Sequence, residues 1–315
     1  MKSSLRGTVC GVGAAVSYGL NPLGALPLYD EGVNTNTVLF FRYGIAILLL
    51  ACLMLFRRMS FRVTGRELAV LAPLGVLFSL SSLTLFVSFL YMGAGIACTL
   101  LFVYPVMVAV LMAVFFKEKL TAVTVASMAM ALTGIWLLYD GDDGGSLNTF
   151  GILMVMASSL SYALYIIVVN KSSLRMSSTK LTFYVLLFSV LVIVASSLLG
   201  SPSGRLTMLS TENMWLHASI LAVFPTVVSL LLMVVAVHDI GSTPTAIMGA
   251  LEPVTAVVIG VALFGETISP RLATGMLLIL VAVVLIVMGK ALSPNRVMSV
   301  IGRFGHVLVK HWRWK

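Results

Sequence analysis

Apolar residues run on along most of this chain without the polar interruptions that would give a helix one wet face or a strand an alternating one. Ten such runs stand out, at 6–26, 36–56, 68–91, 95–116, 121–139, 149–170, 180–199, 215–237, 242–264 and 270–290. Each is close to the ~20 residues that an α-helix needs to cross a bilayer core. Short joints containing Gly, Pro or Asp separate them. Lipid offers backbone groups no partner, so each run is expected as a helix that bonds its own N–H and C=O groups. The pattern predicts an all-α integral membrane protein with ten transmembrane helices. The first run follows Lys2 and Arg6 as a signal peptide would. It is long, however, and "LGALPLYDEG" lacks a small-x-small cleavage site, so it is expected to be a retained helix.

Composition agrees and narrows the class. Hydrophobic residues make up 60% of the chain and charged residues 10%, where a soluble domain would carry about 25% charged. Cys10, Cys52 and Cys98 each fall inside an apolar run, which reads as burial and not as a disulfide or zinc framework. The net charge of +9 would suggest nucleic acid if it formed a patch. Its placement suggests topology instead. With ten spans and both termini cytoplasmic, all of the 20 Lys and Arg except Arg42, Arg205 and Arg271 lie inside. That bias fixes orientation in a cytoplasmic (inner, plasma) membrane. The acidic joints "YDEG" and "YDGDDGG" then face outward.

The chain also repeats itself. "GTVCGVGAAVSYG" at Gly7 resembles "GILMVMASSLSYA" at Gly151, aligning Ser17-Tyr18 with Ser161-Tyr162. A sharper pattern, G-x11-P-x12-E-x-[LI]-[ST], begins at Gly93 and again at Gly241. It pairs Pro105 with Pro253, Glu118 with Glu266, Leu120 with Ile268, and Thr121 with Ser269. Five spans per half is an odd number, so the halves must insert with opposite orientation. Lys117 and Lys119 in the first half correspond to Gly265 and Thr267 in the second, as such an inversion requires. The expected organisation is a first five-helix repeat at 1–139, an acidic outer linker at 140–148, a second five-helix repeat at 149–290 and a basic amphipathic tail at 291–315. Inverted repeats of this kind build many carriers, in which the halves rock about a site near the midplane.

Ten spans in two five-span repeats, each with a proline in its fourth helix and a glutamate just after it, resemble the EamA-like family of the drug/metabolite transporter superfamily. The resemblance covers about residues 5–290. It implies a ten-helix fold around a central cavity and the export or exchange of small metabolites or drugs. It does not choose among substrates.

The candidate chemistry is sparse and therefore informative. Glu252 is the only charge between Thr243 and Phe264, and a carboxylate at that depth costs at least about 2.5 kcal/mol. Pro253 follows it and removes a helix bond, which frees carbonyls beside the acid. The equivalent pair in the first half is Tyr104-Pro105, so the site should be asymmetric. Glu252 is read as the holder of a proton or a cationic substrate group, against a static neutral or paired acid. Arg42 is the other charge well inside a span. It could snorkel outward, pair with Glu252 or bind an anion. Tyr18, Tyr104, Tyr162 and Tyr165 sit near the midplane, where a hydroxyl needs a partner, and so are expected to face a cavity. Ser17, Asn21 and Ser161 lie at similar depth. Asn21-Pro22 is a candidate break in the first span, and Pro22, Pro105 and Pro253 are the candidate hinges.

Other polar residues carry structural readings. Glu118 and Glu266 stand at span ends with a capping role for the next helix, where Thr121 and Ser269 are the candidate N-caps. Asp239 falls in the joint before the ninth span, as a solvated residue or an inner gate. "DGDDGG" starts like a calcium loop, but Gly144 and Gly151 occupy positions that need oxygen ligands. His217, His238, His306 and His311 match no metal or nucleophile spacing, so no metal and no cofactor are expected. In the tail, Val297, Ile301, Phe304 and Leu308 oppose Arg296, Arg303 and Lys310. That pattern suits a helix lying on the anionic inner leaflet.

The function expected from these residues is a secondary transporter working by alternating access, exporting a small amphipathic metabolite with Glu252 holding the coupling proton. A uniporter or exchanger, or a flippase for lipid-linked substrates, stays open within that class. A membrane receptor or structural protein is the rival outside it. The loops are too short and too poor in catalytic sets for an enzyme. The expected partners are a small-molecule substrate, protons and membrane lipids, with no nucleic acid; a homodimer is left open.

Overall fold

The computed structural model describes residues 3–117, 121–139, 148–172, 174, 176–200, 203–241, 245 and 247–291. The expectations for Glu118, Leu120, Lys119, Arg175, the linker at 140–147 and the tail from 292 lie outside these residues. The described residues are helical, with no strand among them. The first span is two helices, α1 (Ser3–Gly19) and α2 (Asn21–Asp30), followed by α3 (Thr35–Phe56) and α4 (Gly65–Ser88). The fourth apolar run divides into α5 (Ala94–Leu101) and α6 (Tyr104–Phe116); α7 (Ala122–Tyr139), α8 (Thr149–Lys171) and α9 (Ser178–Leu198) follow unbroken. The eighth run is α10 (Glu212–Ala222), a π-helical turn (Val223–Val228) and α11 (Ser229–Ile240). The chain continues with α12 (Leu251–Phe264) and α13 (Pro270–Ala291). Eight helical stretches are long and apolar enough to cross a membrane, and Ala122–Leu137 and Leu251–Phe264 are shorter apolar helices. The protein is thus an all-helical, multi-pass membrane protein.

Local chemistry explains the helix ends. Thr64 and Glu67 form a reciprocal capping box at the start of α4. Asn34, Asn148, Ser177 and Thr211 cap α3, α8, α9 and α10 through side-chain oxygens. The Thr121 hydroxyl accepts from the N–H of Thr124 at 3.2 Å, and Ser269 does the same for Leu272 at 3.2 Å, so both capping expectations hold. Pro22 and Pro105 sit in the first turns of α2 and α6, where the missing N–H costs no bond.

The strong helix contacts cross between the two halves of the chain. α1 packs on α11 and α12, α2 on α10, α3 on α9, α4 on α8 and α9, α5 on α12, and α7 on α13. The halves therefore interleave instead of forming two lobes. Helices α3, α4, α8 and α9 make one packed group. Helices α1, α2, α5, α10, α11 and α12 make another, with α7 and α13 as an outlying pair. Glycines permit the closest approaches. A Cβ on Gly75 of α4 would lie 2.3 Å from the Phe188 Cβ of α9, and one on Gly134 of α7 would lie 2.8 Å from the Gly275 carbonyl of α13. Large apolar side chains such as Leu48, Phe115, Leu132, Trp136, Leu191 and Leu277 point outward, a surface suited to lipid and not to water.

The two helix groups meet unequally at their two ends. At the end holding residues 30–37, α10 packs on α3 and a polar seam joins the halves. Asn34 Nδ2 donates to the Arg205 carbonyl at 2.7 Å, Asn36 Nδ2 to that of Gly204 at 2.6 Å, and the Thr37 hydroxyl accepts from the Thr207 N–H at 3.0 Å. Beside it, within the second group, Glu31 at the end of α2 accepts from Thr211 and Asn213 at the start of α10. At the opposite end α9 and α11 barely touch.

Candidate functional site

Every break in the spans lies at the level of one cavity of about 220 Å³, between the two helix groups. The space equals about seven waters at liquid density, which is below the ~300–1,000 Å³ of drug-sized sites. From the first group come Arg42 of α3, Phe78 of α4, Tyr162 and Tyr165 of α8 and Thr182 of α9. The second contributes Tyr18 and Gly19 of α1, Asn21 of α2, Thr226 of the π-turn, and Glu252 and Pro253 of α12, while Tyr104 comes from α6.

Of the residues singled out in the sequence, Glu252, Arg42, Tyr104, Asn21, Tyr18, Tyr162, Tyr165 and Pro253 thus share one cavity. Ser17, Ser161 and Pro22 are buried outside its lining, and Pro105, half-buried, also lies outside it. Ser17 serves the break itself, its carbonyl accepting from the Leu20 N–H at 3.3 Å.

Glu252 lies in the first turn of α12, immediately before Pro253. That position is the positive end of a broken helix, placed inside the bundle, where an anion is favoured. Its carboxylate makes no hydrogen bond or ion pair with the described residues. Gly19 brings α1 against it: a Cβ there would stand 2.6 Å from the Glu252 carbonyl and 2.5 Å from Thr255 Cβ. Tyr18 and Glu252 become neighbours because residue 19 has no side chain.

Arg42 enters the cavity from α3, seven residues, or about 10 Å, from the start of that helix. It is 4% exposed and does not snorkel. Its Nε donates to the Thr226 hydroxyl at 3.0 Å, and its guanidinium lies 5.3 Å from the Phe86 ring and 5.5 Å from the Tyr43 ring. It forms no ion pair with Glu252. Thr226 is held in turn by donating to the Leu221 carbonyl, five residues back, at 3.0 Å. That bond spans the π-turn, a local widening that recurs at functional sites. Thr226 was missed in the sequence, although Pro225 inside an apolar span marks the spot.

Asn21 is 2% exposed. Its Nδ2 donates to the Tyr18 carbonyl at 2.8 Å, and its Oδ1 has no partner. The tyrosines form an aromatic wall. Tyr104 meets Tyr162 edge-on at 4.8 Å, Tyr162 stacks on Tyr165 at 5.7 Å, and Tyr165 tilts against Phe78 at 5.6 Å.

Two acids stand outside the cavity and correct the sequence reading. Glu266 does not serve the helix that follows it. Its carboxylate accepts from the N–H groups of Ala94 at 2.6 Å and Gly95 at 3.3 Å, capping α5 of the other half. Asp239 is not a solvated joint residue. It ends α11, its side chain is 2% exposed, and Arg6 of α1 grips both its oxygens at 2.6 and 2.7 Å. Among the described residues no group of three or more potential metal ligands gathers.

Comparison with known proteins follows this geometry. The family model described as the EamA-like transporter family matches residues 5–140 and again 149–288. The uncharacterized inner membrane transporter YedA of Escherichia coli (strain K12) is 26% identical over 171 residues, 54% of this chain and 54% of YedA. The chain thus spans about half the length of that curated relative. An uncharacterized transporter of Archaeoglobus fulgidus is 26% identical over 258 residues, 81% of this chain and 88% of its own. A solved structure described as "Crystal structure of protein" superposes with a TM-score of 0.64 at 16% identity, over 90% of this chain and 96% of that one, a likeness of fold alone.

Proposed function

This chain belongs to the EamA-like transporter family, and from that premise we propose that it exports a small amphipathic metabolite or drug-like molecule by alternating access, coupled to protons. The observation that carries this reading is Glu252, a carboxylate without a hydrogen-bond or ion-pair partner among the described residues, at a broken helix end in a cavity between two helix groups. An acid so placed can hold a proton or the cationic group of a solute, but not both. That exclusion is what exchanges one for the other.

The double family match and the inverted charge pattern support ten spans in two inverted five-helix repeats, with α7 and α12 as the two shorter spans. In this reading both termini lie on the cytoplasmic side of an inner membrane, as the bias of Lys and Arg along the chain supports. The polar seam at residues 34–37 and 204–207 then lies outside, and the loosely joined end faces in. The bodies that move are the two helix groups, because the interleaved halves cannot separate. α3, α4, α8 and α9 swing against α1, α2, α5, α10, α11 and α12, breaking the outer seam as the inner ends close. Arg6 and Asp239 stay together within the second group. The site residues are Glu252, Arg42, Tyr104, Asn21, Tyr18, Tyr162 and Tyr165, with Ser17 and Ser161 as supports. Pro22, Pro105 and Pro253 fix the breaks. The partners in this reading are the solute, protons and lipids, without nucleic acid, and a homodimer is left open.

Glu252→Gln tests the reading. Reconstituted wild type should accumulate solute under an imposed pH gradient, while the variant, expressed and folded, should move it only to equilibrium. Equal response to the gradient in both would reject proton coupling through Glu252. Gradient-independent movement in both would mean a uniporter or exchanger.

A further inference from the structure

Among the described residues, the two with positive φ that are not glycine are both cations, and both stand at the loosely joined end. Arg58, at φ +52°, follows α3, and Lys117, at φ +55°, follows α6. In each, a left-handed residue turns the chain out of a helix, where glycine is usual and a β-carbon is strained. Two further helices end in the same way, α9 at Gly200 with φ +72° and α12 at Gly265 with φ +66°. These glycines stand at the seam end. α3 and α9 run antiparallel, since Asn36 meets Gly204 in the seam while Lys180 donates to the Arg62 carbonyl at the far end. Gly265 precedes Glu266, which caps the start of α5. Lys117 lies at the other end of α5 and α6, where Lys171 of α8 covers the Phe116 ring at 4.5 Å. Leu174 and Met176, just after α8, pack there on the same cluster as Val63. One turn is thus made with glycine at the seam end and with a cation at the loosely joined end. Gly241 also stands at the latter, but its φ of +86° with ψ of 167° is open to glycine alone.

Lys and Arg fix orientation by their number in a loop, and that does not require them at strained positions. These side chains are also unspent. Thr64 holds the Glu67 carboxylate, and Arg6 and His238 hold Asp239, so Arg57, Arg58, Arg66 and Lys117 have no acid partner among the described residues. All four are exposed. The residues just before the two turns, Leu55 and Phe56 in one and Phe115 and Phe116 in the other, are apolar and exposed too, Phe56 at 88%. Such side chains suit acyl chains, and a cation one or two residues further on reaches headgroup level. The loop after Arg58 is pinned by Tyr184 on the Phe61 carbonyl and Lys180 on that of Arg62, which fixes the direction of the turn. We propose that this end of the protein is a docking surface for anionic phospholipid headgroups, with Arg58 and Lys117 holding phosphate and Arg57 and Arg66 adding to the positive field of their joint. Charge complementarity selects the partner: exposed cations beside exposed apolar side chains fit a phosphate carried on acyl chains better than a soluble anion. The orientation proposed above makes this the cytoplasmic leaflet, while the binding itself rests neither on that reading nor on transport. The surface belongs to α3, α4, α8 and α9 with the neighbouring α6, whereas in the other group Arg6 is neutralised by Asp239. Anionic lipid therefore holds one of the two helix groups at one end.

The test uses the purified protein in neutral detergent, its unfolding midpoint followed by tryptophan fluorescence as phosphatidylglycerol is added. Phosphatidylglycerol should raise the midpoint, while phosphatidylcholine of the same chains and inorganic phosphate should not. Arg58→Gly and Lys117→Gly relax the turns, so their midpoints without lipid should equal or exceed that of the wild type. Each should nevertheless need about fivefold more phosphatidylglycerol, the effect of one basic residue at an anionic surface. Arg58→Lys should keep the wild-type response. Undiminished stability together with weaker lipid binding is a pair of results that a folding role for these cations does not produce. A wild-type lipid response in both glycine variants would leave the cations as insertion signals and overturn the proposal. An equal response to phosphatidylcholine would also overturn it, as would one to inorganic phosphate, which would make the occupant a soluble anion. Lower midpoints without lipid in both glycine variants would assign the cations to the fold itself and overturn it as well.

Discussion

Glu252 and Glu266 flank the same helix, α12, and differ in everything but residue type. Glu266 lies in a pocket built by missing side chains: Cβ atoms on Gly93 and Gly260 would stand 2.8 and 2.4 Å from its Oε2. Two backbone N–H groups of α5 converge on it. Glu252 begins the helix inside the bundle and has no hydrogen-bond or ion-pair partner among the described residues. The first carboxylate is consumed by the fold, joining the two halves at one helix end. The second is left available. Burial alone does not distinguish a structural acid from a working one; what separates them is whether the fold has already supplied the donors.

The widest separation is expected when each acid is removed. Glu266→Ala orphans two N–H donors and empties a pocket, so it should lower unfolding stability in detergent by about 2–4 kcal/mol. Glu252→Gln removes a charge that nothing compensates, and should leave stability unchanged or raised. Denaturation of the two purified variants checks this, and equal losses would erase the contrast. A smaller effect should follow from Gly260→Ala. The new methyl would sit 2.4 Å from Oε2 and 2.5 Å from Cδ of Glu266, so the carboxylate must move, at about 1–3 kcal/mol. Gly44, where an added Cβ meets nothing within 4 Å, provides the control substitution.

The smallest effect is a dependence on pH. Burial pushes the Glu266 carboxyl above its ordinary value, and the N–H groups of Ala94 and Gly95 oppose the rise without cancelling it. The folded protein then binds this proton more tightly than the unfolded chain does. The contribution is fully present below the ordinary glutamate value of about 4.3 and is lost as pH rises through the raised one. Glu266→Gln keeps one acceptor oxygen and should flatten that slope, seen as unfolding midpoints measured across the acid range.

The apolar runs placed the helices within a few residues, because a bilayer demands length and hydrophobicity that composition reveals directly. The breaks were legible too, since proline cannot continue a helix: Asn21-Pro22 and Tyr104-Pro105 begin α2 and α6. Glu252 and Arg42 were legible because a charge in a span is costly. The partners of those residues were not. A helix apolar all round has no readable face, so nothing said that Ser161 would turn away from the cavity while Tyr162 lines it. Glu266 read as a cap for its own neighbour because short-range spacing is visible in a sequence, and the approach of α5 from the other half is not. Thr226 needed the π-turn to rotate it toward Arg42, and the interleaving of the halves is likewise a property of packing.

The central claim is that one carboxylate holds either a proton or the solute. Proton release on binding tests it most directly. Wild-type protein in weakly buffered detergent with a pH dye, mixed with a solute shown to bind, should release protons on saturation, and Glu252→Gln should bind with none released. Binding to wild type without proton release, or equal release from both proteins, would contradict the account.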